Sequence, residues 1–369
     1  MTVPFLDLGA AYRELKHDID AAVARVLESG WYILGPEVEA FETAFAQYCA
    51  ANHAIGVANG LDALIVSLRA LGIEHGDEVI VPANTYIATW FAVSDLGAVP
   101  VPVDPNPATH NIDPEQIEAA ITPATRAIIA VHLYGQPADL APIAAIARQY
   151  RLALIEDAAQ CVGACYRGTR IGAYGDAVCW SFYPGKNLGA MGDGGAVTTN
   201  NAALAATIRK FGNYGSDKKY VHQMQGINSR LDPLQAAVLH VKLRHLDEWT
   251  ERRRRIAMHY LEGFSGLKGI ILPHVPQWAD PVWHLFVIRS PQRAALQAHL
   301  TDEGIATLIH YPTPPHRQGA YQTGWRTPTP LPIAERLAQE VLSLPIGPHM
   351  PPEDVARVIH AVKTFEHSV

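Results

Sequence analysis

The sequence predicts an α/β protein: a mainly parallel sheet with helices on both faces, followed by a smaller C-terminal α+β region. Three observations carry that expectation. Between residue 54 and about residue 200, short apolar runs rich in β-formers alternate with helical patterns. The segments between those runs switch to three-and-four apolar spacing. Beyond Asn200 the strand signal thins into long helical stretches. With 369 residues, 49% of them hydrophobic and 18% charged, the chain has material for a large core and too little charge for disorder.

In chain order, the expected strands are Ala54–Ala58, Glu78–Val81, Val99–Val103, Ala127–Leu133, Leu152–Ile155 and Ala177–Phe182. Leu61, Leu64, Ile65, Leu68 and Leu71 predict a helix that buries one face, and Asp139–Tyr150 is helical in composition; both suit crossovers between parallel strands. A long helical region follows from about Asp232 through Leu234, Val238, Val241 and Leu246. Strand-like Ile270–Leu272 and Leu285–Ile288 and helical Glu335–Leu342 make up the smaller part. The expected division is a large domain over 1–245 and a small one over 246–369. Four consecutive arginines at 252–255 are read as a solvated helix face, because Glu248 and Glu251 precede Arg252 and Arg255 by four.

Composition excludes several function classes. A formal charge of −7 gives no electrostatic reason for nucleic acid or an anionic membrane as partner. The first residues lack a basic start with an apolar core, and no run of eighteen apolar residues occurs, so a cytoplasmic protein is expected. Four cysteines, with only Cys161 and Cys165 closely spaced, predict free buried thiols and no metal site.

Ligands of open α/β sheets settle beyond the carboxyl ends of the strands, so the residues after each strand are the candidates for chemistry. Asn59-Gly60-Leu61-Asp62 is a glycine turn opening a helix, a place for an anion such as phosphate. Tyr86 follows the second strand and brings an aromatic ring to the edge. Asp157 follows an apolar strand and needs a cation or strong donors if buried. Lys186 lies in Tyr183-Pro184-Gly185-Lys186-Asn187, without the spacing of a phosphate loop, and is free to form a Schiff base if desolvated. A phosphate, a flat ring, a positive ring nitrogen and an aldehyde would satisfy all four, and pyridoxal phosphate has them. The first three also have bland readings: a helix cap, a core tyrosine and a structural ion pair.

The runs IEDAAQ (155–160), SFYPGKNLGAMGDGGAV (181–197) and GINSRLDPLQAA (226–237) resemble the sugar aminotransferases of the DegT/DnrJ/EryC1/StrS family. The likeness extends from VPFLDL (3–8) and GPEVEAFE (35–42) to HYPTPPHRQGAY (310–321), nearly the whole chain. It implies the fold type I, aspartate-aminotransferase-like architecture and pyridoxal 5′-phosphate as cofactor. NTYIATWFAVS (84–94), AVHLYGQPADL (130–140) and VKLRHLDEW (241–249) look most like the enzymes that aminate dTDP-3-oxo-6-deoxyhexoses at C3.

By that resemblance Lys186 holds the cofactor and moves the proton, Asp157 pairs with its ring nitrogen, Gln160 bonds its ring hydroxyl and Tyr86 stacks on it. Gly60, Leu61 and Ser181 hold its phosphate, with Asn228 reaching in from the neighbouring subunit of a homodimer. Tyr183, Lys219 of the partner subunit, His310 and Tyr311 are implied for the nucleotide-sugar. The implied cycle is ping-pong, from L-glutamate to 2-oxoglutarate and then, through the pyridoxamine form, to the keto sugar. Lys186 stands where a related dehydrating subset carries histidine. Two departures are visible: Cys161-Val162 replaces a common Ala-His, and Leu61 replaces Ser or Thr at the phosphate turn. Amination at C4, another fold type I reaction on a free amino acid, or a non-enzymatic role in transcription are the other readings.

Overall fold

The computed structural model describes residues 2–368. Its centre is a seven-stranded sheet of β1 (His53–Val57), β2 (Glu78–Pro82), β3 (Val99–Val103), β4 (Thr125–Val131), β5 (Ala153–Asp157), β6 (Ala177–Ser181) and β7 (Gly195–Thr199). Their order across the sheet is β1-β7-β6-β5-β4-β2-β3. All neighbours pair parallel except β7, which is antiparallel to both β1 and β6. The six strands expected from the sequence are present, Val99–Val103 with the same ends and the others with ends displaced by no more than two residues. β7 was not foreseen, because its glycine-led start continues the glycine-rich loop before it.

The strands are buried along nearly their whole length, which is why they read as continuous apolar runs. Successive residues still serve opposite faces. Ile128 and Ala130 of β4 join one core, with Phe41, Phe45 and Trp180; Ala127, Ile129 and Val131 join the other, with Leu64, Leu68 and Trp90. Helix α1 (Gly60–Ala70) covers the second face through Ala63, Leu64, Ile65 and Leu68, each fully buried leucine contributing roughly 1.5–3 kcal/mol. Helix α2 (Ala88–Asp95) lies beside it, and α3 (Leu140–Tyr150) covers the opposite face through Leu140, Ile143 and Ala147.

The long helical region is two helices, α4 (Pro233–Leu243) and α5 (Leu246–Gly263), separated at Arg244-His245. Asp247 and Glu248 in the first turn of α5 suit its positive end. A third core gathers α5, β8 (Phe286–Arg289), β9 (Val341–Leu344) and α6 (Pro352–Ser368) around Tyr260, Phe264 and Phe286. Three expectations are corrected here. Ile270–Leu272 is no strand; only Ile271 bridges to Arg289. Glu335–Leu342 is not one helix: a helix over Pro332–Glu340 stops, and Val341–Leu344 pairs with β8, where fully buried tertiary pairing overrides the helical pattern. The arginine run is not a uniformly solvated face. Arg253 is buried, and its guanidinium donates to the carbonyls of Trp283, His284 and Ile346 at 3.2–3.3 Å. Arg252 does pair with Glu248, at 2.6 Å, while Glu251 stands 3.8 Å from Arg254.

Candidate active site

A cavity of about 900 Å³ opens beyond the carboxyl ends of β1, β2, β5 and β6. After β1, the Asn59 side chain accepts the Asp62 amide at 2.9 Å and starts α1 at Gly60. The first amides of a helix have no intrahelical acceptor, and Gly60 and Leu61 bring theirs to the cavity wall with the positive end of the helix dipole. A Cβ on Gly60 would stand 2.7 Å from the Ser181 Cβ, so turn and strand end meet in a contact that only glycine permits.

After β2 the chain presents Thr85 and Tyr86. The Tyr86 ring is 56% exposed and its centroid lies 5.6 Å from that of Tyr311, so the core-tyrosine reading fails. Asp157 is the last residue of β5, which runs two residues past its expected end at Ile155, and is only 8% exposed. The Thr89 hydroxyl donates to its Oδ2 at 2.8 Å and the Ala159 amide to its Oδ1 at 3.2 Å. Burial raises its pKa; those two donors and the charges of Lys186 and His132 oppose the rise. Gln160 accepts the Tyr134 amide at 2.6 Å and donates to the Tyr311 hydroxyl at 3.1 Å.

Lys186 is half-buried on the turn after β6, its amide bonded to the Tyr183 carbonyl at 2.8 Å. Burial lowers its amine to a pKa of about 8, with the Asp157 carboxylate pulling the other way. The neutral, nucleophilic amine is therefore far more accessible than on an ordinary lysine. His310 shares a hydrogen bond of 2.8 Å with the Ser343 hydroxyl, its carbonyl accepts from the Tyr134 hydroxyl, and burial pushes its pKa down to about 4. Tyr183 is exposed at the mouth.

Ten of the twelve residues singled out from the sequence thus line one cavity. Lys219 and Asn228 do not. Lys219 is exposed with its ammonium 5.1 Å from the Tyr220 ring, and Asn228 is exposed beside Asn213 in a loop closed by the Tyr214 amide to the Ile227 carbonyl at 2.9 Å. Sequence reasoning missed Thr85, Thr89 and His284: Thr89 meets Asp157 and His284 meets Asn187, at 3.1 Å, from distant parts of the chain, and Thr85 acts through Thr89. Cys161 and Val162 are 0% and 1% exposed in the core, and burial pushes the Cys161 thiol well up, so neither shapes the cavity nor offers a nucleophile. All four cysteines are free; Cys165 is only half-buried, against expectation.

Enzymes that carry pyridoxal phosphate on the aspartate-aminotransferase fold need a lysine, an opposing carboxylate and an anion cradle at this edge of the sheet, and the present cavity meets that class. The residues fit the group chemically: Asp157 has hydrogen-bond donors but no cation in contact among the described residues, and the Gly60 turn leaves backbone amides beside the Ser181 hydroxyl. The chain belongs to the DegT/DnrJ/EryC1/StrS aminotransferase family, whose model matches residues 13–363.

Three characterised relatives are similar along nearly the whole length. The erythromycin biosynthesis sensory transduction protein EryC1 of Saccharopolyspora erythraea is 59% identical, over 98% of this chain and 99% of its own. The dTDP-3-amino-3,4,6-trideoxy-alpha-D-glucose transaminase of Streptomyces venezuelae is 54% identical, over 100% and 97%. The dTDP-3-amino-3,6-dideoxy-alpha-D-galactopyranose transaminase of Aneurinibacillus thermoaerophilus is also 54% identical, over 98% and 99%. The crystal structure of S. venezuelae DesV in complex with a ketimine intermediate superposes with a TM-score of 0.98 at 54% identity, covering 100% of this chain and 99% of that one.

Proposed function

We propose that the protein transfers the amino group of L-glutamate to C3 of a dTDP-3-oxo-6-deoxyhexose, giving the dTDP-3-amino-3,6-dideoxyhexose and 2-oxoglutarate in a ping-pong cycle. The observation that carries the reading is Lys186, its pKa lowered to about 8, sharing one cavity with the buried carboxylate of Asp157. Pyridoxal phosphate, when bound, accepts the electron pair left on carbon after deprotonation and stores the amino group between the two half-reactions.

The residues of this chain do the rest. Gly60 and Leu61 amides and the Ser181 hydroxyl hold the phosphate, with Asn228 of the partner subunit completing the cradle. Leu61 forgoes the side-chain hydrogen bond that Ser or Thr would give, a loss of about 1 kcal/mol, but keeps its amide. Tyr86 stacks on the ring, Gln160 bonds the ring hydroxyl, and Asp157 keeps the ring nitrogen protonated. The Lys186 amine, its pKa lowered by burial, would act as the acid and base that moves a proton between the substrate carbon and the cofactor carbon, in opposite directions in the two half-reactions.

Tyr183, His310, Tyr311 and Lys219 of the partner subunit serve the nucleotide-sugar, whose pyrophosphate needs cations and hydroxyl donors. Two copies of the chain sharing their sites explain why Lys219 and Asn228 are exposed and off the cavity wall in a single copy. The division at about residue 245 follows the break between α4 and α5 and the separate third core. A cytoplasmic location goes with this reading; among the described residues no helix is long and apolar enough to cross a membrane.

Cofactor spectra of separated half-reactions test the proposal. Glutamate alone should convert the bound cofactor fully to its aminated form, and the 3-keto sugar alone should reverse it. Conversion by a 4-keto sugar with none by the 3-keto sugar would move the reaction to C4, and gel-shift binding of DNA at physiological salt would favour a regulator.

A further inference from the structure

Asp157 is held by groups that the sequence did not connect to it. The Thr89 Oγ1 lies 2.8 Å from Asp157 Oδ2, and the Thr85 Oγ1 lies 2.9 Å from Thr89 Oγ1. Both threonines are on the chain leaving β2, one turn apart at the start of α2, and both are buried, Thr85 at 2% and Thr89 at 0% exposure. Thr85 lines the cavity. An ionised carboxylate only accepts hydrogen bonds. The Thr89 hydroxyl must then donate to Asp157 and accept from Thr85, so the three groups form a directed chain ending on the carboxylate. With the Ala159 amide on Oδ1, Asp157 has a donor on each oxygen. The other titratable groups acting on it or feeling it are Lys186, His132, Tyr311 and Cys179; none of them hydrogen-bonds its carboxylate.

We infer that Thr89, backed by Thr85, is a positioning residue for the transamination chemistry: its hydroxyl keeps Asp157 ionised and aimed, so that the cofactor's ring nitrogen, rather than the carboxylate, carries the shared proton. The inference rests on the cofactor reading of the site. Its physical basis is competition. Burial pushes the proton toward Asp157, and a hydroxyl donor stabilises the charged carboxylate against that push. Thr85 adds to the effect because a hydroxyl that accepts a hydrogen bond becomes a better donor. Valine has the shape of threonine without the hydroxyl, so Thr89→Val removes the donor and little volume. It leaves Asp157 more basic and draws the proton away from the ring.

The test uses the holoenzyme reconstituted with pyridoxal phosphate labelled with ¹⁵N in the ring, read by the nitrogen chemical shift across pH. Wild type should show a protonated ring nitrogen. Thr89→Val should move the shift toward the unprotonated value, with the apparent pKa of the ring nitrogen lower by about one unit and kcat falling about tenfold, more than KM changes. Thr89→Ser, which restores the hydroxyl, should return both to wild type, and Thr85→Val, which leaves the Asp157 contact in place, should give a smaller shift in the same direction. Wild-type nitrogen shifts in both Thr89→Val and Thr85→Val would overturn the inference; if Thr89→Val does not fold, a wild-type shift in Thr85→Val overturns it alone. A wild-type chain that takes up no cofactor overturns the underlying reading as well.

Discussion

The inner wall of the cavity, Gly60, Asp157, Gln160, Ser181 and Lys186, comes from turns that directly end strands of one sheet, whereas the outer wall draws on a segment that returns from the third core. His310 and Tyr311 reach the site from beyond β8, and Lys219 and Asn228 do not reach it within one copy of the chain. Topology assembles the inner wall, since β1, β2, β5 and β6 run the same way and deliver their carboxyl ends to one edge, although antiparallel β7 lies between β1 and β6. The outer wall depends on packing between distant segments and, in the proposed dimer with shared sites, on a second copy of the chain. On the proposed reading, chemistry common to the family belongs on the first and substrate choice on the second.

That contrast can be broken or sharpened by experiment. The largest effect belongs to Lys186→Ala, which should lower kcat by about a thousandfold or more with secondary structure intact, checked by single-turnover kinetics and circular dichroism. Asp157→Asn should follow, lowering kcat by about a hundredfold with a smaller change in KM, because the neutral amide cannot keep the ring nitrogen charged. Wild-type turnover in either would remove chemistry from the inner wall.

For the outer wall, the proposed dimer with shared sites predicts that mixing Lys186→Ala subunits with Asn228→Ala subunits gives more activity than either variant alone, since one site of the mixed dimer then has every residue. Absence of rescue, with mixed dimers verified by mass spectrometry, would place Asn228 in its own subunit's site or outside any site.

The smallest effect is on stability against pH. Lys186 and Lys242 both have amines lowered to about 8 from 10.5 by burial, Lys242 bonded at 2.6 Å to the Gly189 carbonyl. Between pH 8 and 10.5 the unfolded chain binds the more protons, so cofactor-free protein should gain stability as pH rises through that window, these two groups adding nothing further to the slope below it. Lys186→Met should flatten part of the rise in urea titrations.

The inner wall was legible because strand pattern and following residue are adjacent in sequence: reading β5 and β6 already placed Asp157 and Lys186 at the same edge. Thr89 was not legible, since its partner is 68 residues away and its own helix, Ala88–Asp95, is apolar nearly all round and gives little periodic signal. β7 escaped because glycines at 192, 194 and 195 read as loop, and only pairing with β1 and β6 makes Gly195–Thr199 a strand. Arg253 looked like its charged neighbours; carbonyls from two distant segments, at 283–284 and 346, draw it inward.

The crowding around Gly60 has a consequence for how the protein comes into being. A Cβ on Gly195 would stand 2.5 Å from the Asn59 backbone and 2.9 Å from the Trp180 carbonyl, so three stretches far apart along the polypeptide converge with no space to spare. Contacts between remote positions slow folding, and here they leave no room for a Cβ, so Gly195→Ala should lower the yield of folded protein as well as spoil the turn at Asn59.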